Sequence, residues 1–186
     1  WAALEGVDPK AKQDPVWCQL TMELLHDRSE PMERLRETFD GCVARYPRAY
    51  FIYRSMLRWL MPRWSGSPEQ VRDFIEEMAE ANRIPGAAEL YARLYWSYSA
   101  MESDDVNIFH DSYANWSRMQ LGFKKMLTDY PTSDVILNAY ARFACLADDG
   151  TTYRKLQTEV EKRPSATGWS EHTTRADCDK KLLASK

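Results

Sequence analysis

The sequence is short of glycine, of alternating β-branched residues and of long apolar runs, and each shortage excludes a class of protein. Only 7 of its 186 residues are glycine and strong helix formers abound, which favours a mostly helical fold over a mixed one. No apolar run approaches the roughly 20 residues that span a bilayer. The net charge of -3 gives no electrostatic argument for a nucleic acid or an anionic membrane. A protein or peptide is therefore the predicted partner.

The chain also lacks the residue patterns that catalytic and cofactor sites need. Its histidines, His26, His110 and His172, stand singly, with no His-x-x-x-His or His–Glu pair for a metal. There is no glycine-rich phosphate loop, and Ser65-Gly66-Ser67 is interpreted as a helix cap rather than a nucleophile turn. We therefore predict a protein that is not an enzyme, with no catalytic residue, no cofactor and no bound metal.

The four cysteines lack the close paired spacing of a zinc site or a redox dithiol. If helices near residues 16–26 and 31–45 form a hairpin, Cys18 lies nearly opposite Cys42, within reach of a disulfide. Two small reduced core residues in a cytoplasmic protein are the preferred alternative. Because the printed chain begins at Trp1 rather than Met, a periplasmic or secreted location stays open if a signal peptide preceded it.

Proline and capping residues divide the chain into helical hairpins. The central hairpin has a first helix from Tyr50 to about Met61 and a second that opens at Pro68, where Ser67 and Gln70 form a predicted capping box. An earlier helix opens at Pro15, capped by Asp14, and its partner follows Pro31. X-Pro stops close the hairpins, at Pro47, Pro85, Pro131 and Pro164.

The third hairpin pairs a helix from Ala87 to Met101 with a long helix predicted from about Val106 to Thr128, capped at Ser103-Asp104-Asp105. The resulting prediction is an all-α fold of stacked antiparallel α-hairpins with about eight helices. A solenoid of repeats is preferred over an irregular helical bundle. Residues 1–14 form an extended lead-in, 15–164 a single repeat domain, and 165–186 a polar tail or weak capping helix.

Related strings in the first helix of successive hairpins indicate a binding surface. Tyr91-Ala92-Arg93-Leu94 and Tyr140-Ala141-Arg142-Phe143 match closely, and Tyr53-Arg54-Ser55-Met56 matches loosely. Inner helices of a solenoid line a concave face, and Tyr, Trp and Arg dominate interfaces. The predicted partner-binding residues are Tyr53, Arg54, Arg58, Tyr91, Arg93, Trp96, Tyr140 and Arg142. The alternative for each is ordinary, since tyrosine at helical spacing is often core and arginine often covers apolar surface.

One segment carries a family resemblance. Met61-Pro62-Arg63-Trp64-Ser65-Gly66-Ser67 resembles the Pro-Arg-Trp-x-Gly-Ser segment of a bacterial family of tetratricopeptide-like domains with no assigned function, and residues 141–156 are similar to a later hairpin of that family. The resemblance covers roughly residues 40–165 and implies the fold, with no active site. Pro62, Arg63, Trp64, Gly66 and Ser67 are given a structural role, in which the indole covers the hairpin end and the Arg63 guanidinium stacks on it or bonds helix carbonyls.

The sequence thus predicts a non-enzymatic interaction module that grips a protein or peptide with its inner helices. A bacterial immunity or adaptor protein is the sharper form of this hypothesis. Two alternatives remain: a helical hydrolase or lyase with acidic groups converging in a cleft, and an architectural domain of a longer protein. Partner identity and oligomeric state are left open.

Overall fold

A computed structural model of the chain describes residues 6–80, 86–102 and 106–183, and all regular structure within these ranges is helical. The predicted all-α class is confirmed. Nine α-helices fall in these ranges: α1 Pro15–Asp27, α2 Met32–Arg45, α3 Tyr50–Trp59, α4 Pro68–Glu80, α5 Ala87–Met101, α6 Trp116–Asp129, α7 Asp134–Leu146, α8 Gly150–Lys162 and α9 Arg175–Leu183. Three short 3₁₀ helices accompany them, Ala11–Gln13, Pro62–Trp64 and Ala166–Gly168. None of these helices combines the length and the apolarity that a membrane crossing requires.

Contacts divide the chain into two compact units, and the division falls inside α4, after Val71. In the first unit, described over residues 6–71, α1, α2 and α3 pack against one another in pairs. Their apolar stripes form the core, through Met22, Leu25, Leu35, Phe39, Val43, Ile52, Met56 and Leu57. Burying these faces is the main driving force for a helical hairpin of this kind, because isolated helices of this length are marginal in water.

A disulfide joins Cys18 of α1 to Cys42 of α2, with their Cα atoms 5.9 Å apart. The preferred interpretation of these cysteines as reduced was wrong. The physical reason is the hairpin itself, which places the two residues opposite each other at a separation that a disulfide accepts.

The second unit, described over residues 72–80, 86–102 and 106–183, is built around α7. Every residue from Ile136 to Cys145 is buried, because α6, α8, α9 and the 3₁₀ helix Ala166–Gly168 pack around this helix. A second disulfide, which the sequence analysis did not foresee, joins Cys145 of α7 to Cys178 of α9. The segment predicted as a polar tail or weak capping helix therefore contains a helix, which is covalently fixed to the core of this unit.

Most predicted helix starts are confirmed in atomic detail. The Asp14 carboxylate accepts a hydrogen bond from the Val16 amide at 2.8 Å, and the Ser67 hydroxyl accepts one from the Gln70 amide at 3.2 Å. The capping box is only half present, because the Ser67 amide donates to the Leu60 carbonyl instead. Side-chain caps of this kind stabilise a helix by about 1 kcal/mol.

The predicted long helix from Val106 was wrong, since α6 begins at Trp116. Asn115 caps α6 by accepting from the Arg118 amide, and Asn107 folds the preceding segment into a turn by accepting from the Phe109 amide. Asparagine side chains compete with helical hydrogen bonds in this way. The predicted stop at Pro85, the cap at residues 103–105 and the start of the lead-in lie outside the described residues.

Candidate functional site

An aromatic and cationic cluster lies in the first unit, where the end of α1 meets the end of α3. We call it the Trp64 cluster, and it consists of His26, Arg58, Trp59 and Trp64. The His26 ring stacks on Trp59, with ring centroids 4.8 Å apart, and meets Trp64 edge-on at 6.4 Å. The Arg58 guanidinium lies 5.4 Å from the Trp59 ring and 5.7 Å from the Trp64 ring. Such cation–π contacts contribute about 0.5–1 kcal/mol each at exposed positions.

The two tryptophans of the cluster differ in exposure, and this difference gives the cluster its outward face. Trp59 is 2% exposed and belongs to the core, whereas Trp64 is 45% exposed. Glu23 of α1 is 3.8 Å from Arg58 and supplies a weak counter-charge. The Nε atom of Arg58 is buried and has no hydrogen-bond partner among the described residues. The cluster therefore presents a fixed indole and a partly satisfied guanidinium on one surface.

The Pro62-to-Ser67 segment positions this indole. Pro62 opens the short 3₁₀ helix that ends at Trp64, and Ser65 then takes the left-handed conformation, with φ 74°. A Cβ atom at Gly66 would lie 2.0 Å from the Leu60 carbonyl oxygen, so only glycine permits this close approach. Arg63 is exposed, and the guanidinium that approaches Trp64 is that of Arg58. The cationic contact that the structure shows on the Trp64 ring thus comes from α3, and the stacking or carbonyl bonding of Arg63 stays a prediction.

The predicted inner-helix residues of the first unit differ in exposure. Tyr53 is 1% exposed, and its hydroxyl donates to the Pro47 carbonyl at 3.2 Å. Arg54, the next residue, is exposed, and Arg58 is half-buried in the Trp64 cluster. Arg54 and Arg58 are thus the two that offer polar surface to a partner.

In the second unit, the predicted residues mostly belong to the core. Tyr91 is fully buried and its hydroxyl accepts from the Asn115 amide at 3.0 Å. Tyr140 stacks on Phe123 with ring centroids 5.3 Å apart, and Trp96, half-buried, lies 5.8 Å from the same ring. Arg93 is half-buried and paired with Glu89 at 2.7 Å. The structure therefore brings Trp96 and Tyr140 together because both rings contact Phe123 in the core.

Arg142 is the least expected of the predicted residues, because an arginine is buried there and no ion pair to a carboxylate is found among the described residues. It is 4% exposed, and its Nη2 atom donates to the Ser99 hydroxyl at 3.0 Å. Its Nε atom has no hydrogen-bond partner among the described residues. Burial lowers the pKa of the Arg142 guanidinium to about 10.

Titratable groups within the described ranges give no second candidate site. In the part of the chain that the structure describes, no group of three His, Cys, Asp or Glu side chains is arranged to hold a metal ion. The carboxylate of Asp149 is engaged by the Trp116 indole at 3.0 Å and by the Thr152 hydroxyl at 2.6 Å, and it caps α8. These interactions give Asp149 a structural role in holding α6 against α8.

Sequence reasoning missed two members of the Trp64 cluster. His26 and Trp59 lie 33 residues apart in the chain; the sequence pattern identified the histidine only as standing singly and did not single out the tryptophan. The only available signal was positional, because both fall in the last turn of helices from neighbouring hairpins. That signal does not say that two last turns meet.

A comparison with known families finds that part of the chain is similar to a family to which no function is assigned. A domain of unknown function, DUF4034, matches residues 26–83, a span that contains the Trp64 cluster and the Pro62-to-Ser67 segment. Nothing among curated proteins or solved structures matches the chain.

Proposed function

We propose that this protein is a non-enzymatic interaction module that binds another protein through the Trp64 cluster of its first unit. The observation that carries the proposal is the 45% exposure of Trp64 while Arg58 and His26 hold its ring. Tryptophan and arginine are the residue types most enriched at the energetic centres of interfaces. A tryptophan fixed in this way binds with little loss of side-chain freedom, which removes one of the costs of association.

Charge narrows the kind of partner. Arg58 lies against the exposed indole and Arg63 precedes it in the chain, with Glu23 as a counter-charge 3.8 Å from Arg58, whereas the chain as a whole carries -3. An acidic or neutral surface patch with an apolar pocket for the indole complements this arrangement. A bacterial immunity or adaptor protein that engages one toxin or secretion component is the specific form of the proposal that we favour.

Co-elution with the proteins encoded by neighbouring genes tests the proposal. We expect one of them to be retained by the intact chain, and Trp64→Ala to weaken that complex by about 2 kcal/mol or more. The thermal midpoint of the free variant should fall by only a few degrees, because the ring contacts of Trp64 stabilise the fold by about 1 kcal/mol. Leu121→Ala is the matched control, because Leu121 is 58% exposed and lies in the second unit. The proposal would be contradicted if both variants lost binding equally, or if the intact chain retained none of the candidate proteins.

A further inference from the structure

A cleft of about 380 Å³ lies on the first unit, away from the residues of the Trp64 cluster. It is formed by the 3₁₀ helix Ala11–Gln13, α1 and α2, and the Cys18–Cys42 disulfide is part of its lining. Its volume falls within the range of about 300–1,000 Å³ typical of small-ligand sites. Cys18 and Cys42 are 7% and 8% exposed, so the bridge lies just beneath the open space.

The cleft has a positive end. Arg45, in the last turn of α2, and Lys12 both line it. The hydroxyl of Tyr46 donates to the Gln13 carbonyl, and this contact holds the end of α2 beside the segment that carries Lys12. Each cation contacts an aromatic ring, Lys12 that of Trp17 at 5.7 Å and Arg45 that of Tyr46 at 5.9 Å. Neither contact neutralises charge, so two cations face one end of the cleft.

The cleft also has a negative end, set by Glu37. This residue lines the same cleft and precedes Arg45 by eight positions on α2. A helix rises 1.5 Å per residue, so the two charges are about 12 Å apart along the axis. Opposite charges at this separation do not neutralise each other in water, which leaves the cleft dipolar from end to end.

Between its ends the cleft offers a flat ring, open space and oxygen acceptors. The Trp17 ring lines it, and a Cβ atom built at Gly41 meets nothing within 4 Å. The hydroxyls of Thr21 and Thr38 already donate to the carbonyls of Trp17 and Arg34, at 2.8 and 3.0 Å. Their lone pairs therefore remain as acceptors for N–H groups of a ligand.

We infer that this cleft binds a short zwitterionic peptide of about three residues. Its carboxylate lies between Lys12 and Arg45, and its ammonium group lies at Glu37. An extended residue spans about 3.3–3.6 Å, so three or four residues bridge the separation of the charges. The amide N–H groups of the peptide donate to the threonine hydroxyls, and one side chain covers the Trp17 ring. This site is separate from the proposed protein-binding surface and does not depend on it.

Isothermal titration of the full oxidised chain with tri-alanine at millimolar concentration tests the inference. Two capped peptides are compared with it, N-acetyl-tri-alanine and tri-alanine amide. Each cap removes one charged hydrogen bond, so we expect each to weaken binding about tenfold or more. Equal affinity for free and capped peptides, or no binding of tri-alanine, would overturn the proposal. A loss of affinity for tri-alanine amide alone would also overturn the proposal, because the cleft would then recognise a carboxylate and not a zwitterion.

Variants locate the binding and assign its ends. In Glu37→Gln, the acetylated and the free peptide should bind with the same affinity, because the variant no longer has a charge for the ammonium group. In Arg45→Gln, the difference in affinity between the amidated and the free peptide should shrink for the same reason, since the coupling between two groups disappears when either is neutral. Arg48→Gln is the control, since Arg48 is exposed and lies outside the cleft lining.

A blocking variant separates this site from any other. Gly41→Leu places a side chain in the open space without a backbone clash, so we expect an unchanged helical spectrum, an equal or higher thermal midpoint and no peptide binding. A Gly41→Leu chain that folds and binds tri-alanine as tightly as the parent would show that the cleft is not the site.

Discussion

Two glycines inside helices have opposite surroundings, and they make a matched pair of tests. Gly41 of α2 has open space where a Cβ would lie, whereas a Cβ at Gly122 of α6 would lie 2.2 Å from the Ala88 carbonyl oxygen and 2.5 Å from the Ala92 methyl carbon. Gly122 therefore allows α5 and α6 to approach closely. Helix propensity favours alanine at both positions by about 1 kcal/mol.

We expect Gly41→Ala to raise the free energy of unfolding by up to about 1 kcal/mol and Gly122→Ala to lower it by about 1–3 kcal/mol, since overpacking against backbone outweighs propensity. Urea unfolding of the two variants beside the parent measures both values. A stabilising Gly122→Ala would show that α5 and α6 can separate at no cost, against the close contact described here.

Arg142 provides a second test at the level of a single side chain. The pKa of Arg142 is lower in the folded chain than in the unfolded one, so keeping the guanidinium charged costs free energy of folding. This cost is fully present at pH 7 and is relieved only above about pH 10. We expect Arg142→Met to raise the free energy of unfolding at pH 7 by about 1–3 kcal/mol. A large destabilisation would indicate instead that the guanidinium is compensated in the folded protein.

At the level of elements, α9 is attached to the core of the second unit by one bond and several polar contacts. The Cys145–Cys178 disulfide joins it to α7, and the Tyr153 hydroxyl of α8 donates to Asp179 at 2.8 Å. The bridge closes a loop with a sequence separation of 33, against 24 for Cys18–Cys42. Loop closures of these lengths stabilise by about 3 kcal/mol, mainly by restricting the unfolded chain.

The double variants Cys145→Ala with Cys178→Ala, and Cys18→Ala with Cys42→Ala, should each lose about 3 kcal/mol of stability. Chemical denaturation under oxidising conditions measures the loss. The same denaturation in the presence of a reductant supplies the control, because in each double variant the reductant can break only the disulfide that remains. A midpoint that does not change when either bridge is removed would contradict a structural role for it.

Prolines and caps predicted where several helices begin and end, but not which of their faces turn inward. The boundaries of α4 and α5 follow from Ser67-Pro68 and from the apolar periodicity after residue 86, because these signals are local in the chain. The irregular segment before Trp116 escaped prediction because Asn107 and Asn115 act through side-chain hydrogen bonds that compete with a helix.

The candidate site was predicted less well than the fold. Tyr91 and Tyr140 repeat at the spacing of a shared face, and the structure buries that face, with the Tyr91 hydroxyl satisfied by the Asn115 amide. Periodicity identifies residues on one side of a helix and cannot say whether that side meets solvent. The Trp64 cluster depended on contacts between hairpins, which no local pattern encodes.

At the scale of the whole molecule, buried phenols set the response to alkali. Burial raises the pKa of five tyrosines of the second unit. The pKa rises to about 12 for Tyr98 and Tyr140, and burial also holds the pKa of Tyr91, Tyr95 and Tyr153 above the usual value of a phenol. In the unfolded chain these phenols ionise near pH 10. The unfolded state therefore loses protons first, and stability falls as the pH rises above about 10.

We expect the thermal midpoint to decline steeply between about pH 10 and pH 12, and the decline to be shallower in Tyr140→Phe, which keeps the ring stack on Phe123. Tyr130→Phe is the control, because Tyr130 is 48% exposed. Thermal unfolding followed by circular dichroism across this range checks the prediction. If Tyr130→Phe made the decline of the thermal midpoint as shallow as Tyr140→Phe does, burial of the phenol would not be the cause of the decline.

Each compact unit contains one disulfide, and this has a practical consequence for anyone who makes the protein. Glutathione and thioredoxin keep thiols reduced in the cytosol of ordinary expression hosts. A chain made there would carry four free thiols, two of them in the lining of the cleft between α1 and α2. Material for titrations or crystals should therefore be exported or oxidatively refolded, and its thiol content counted before any result is interpreted.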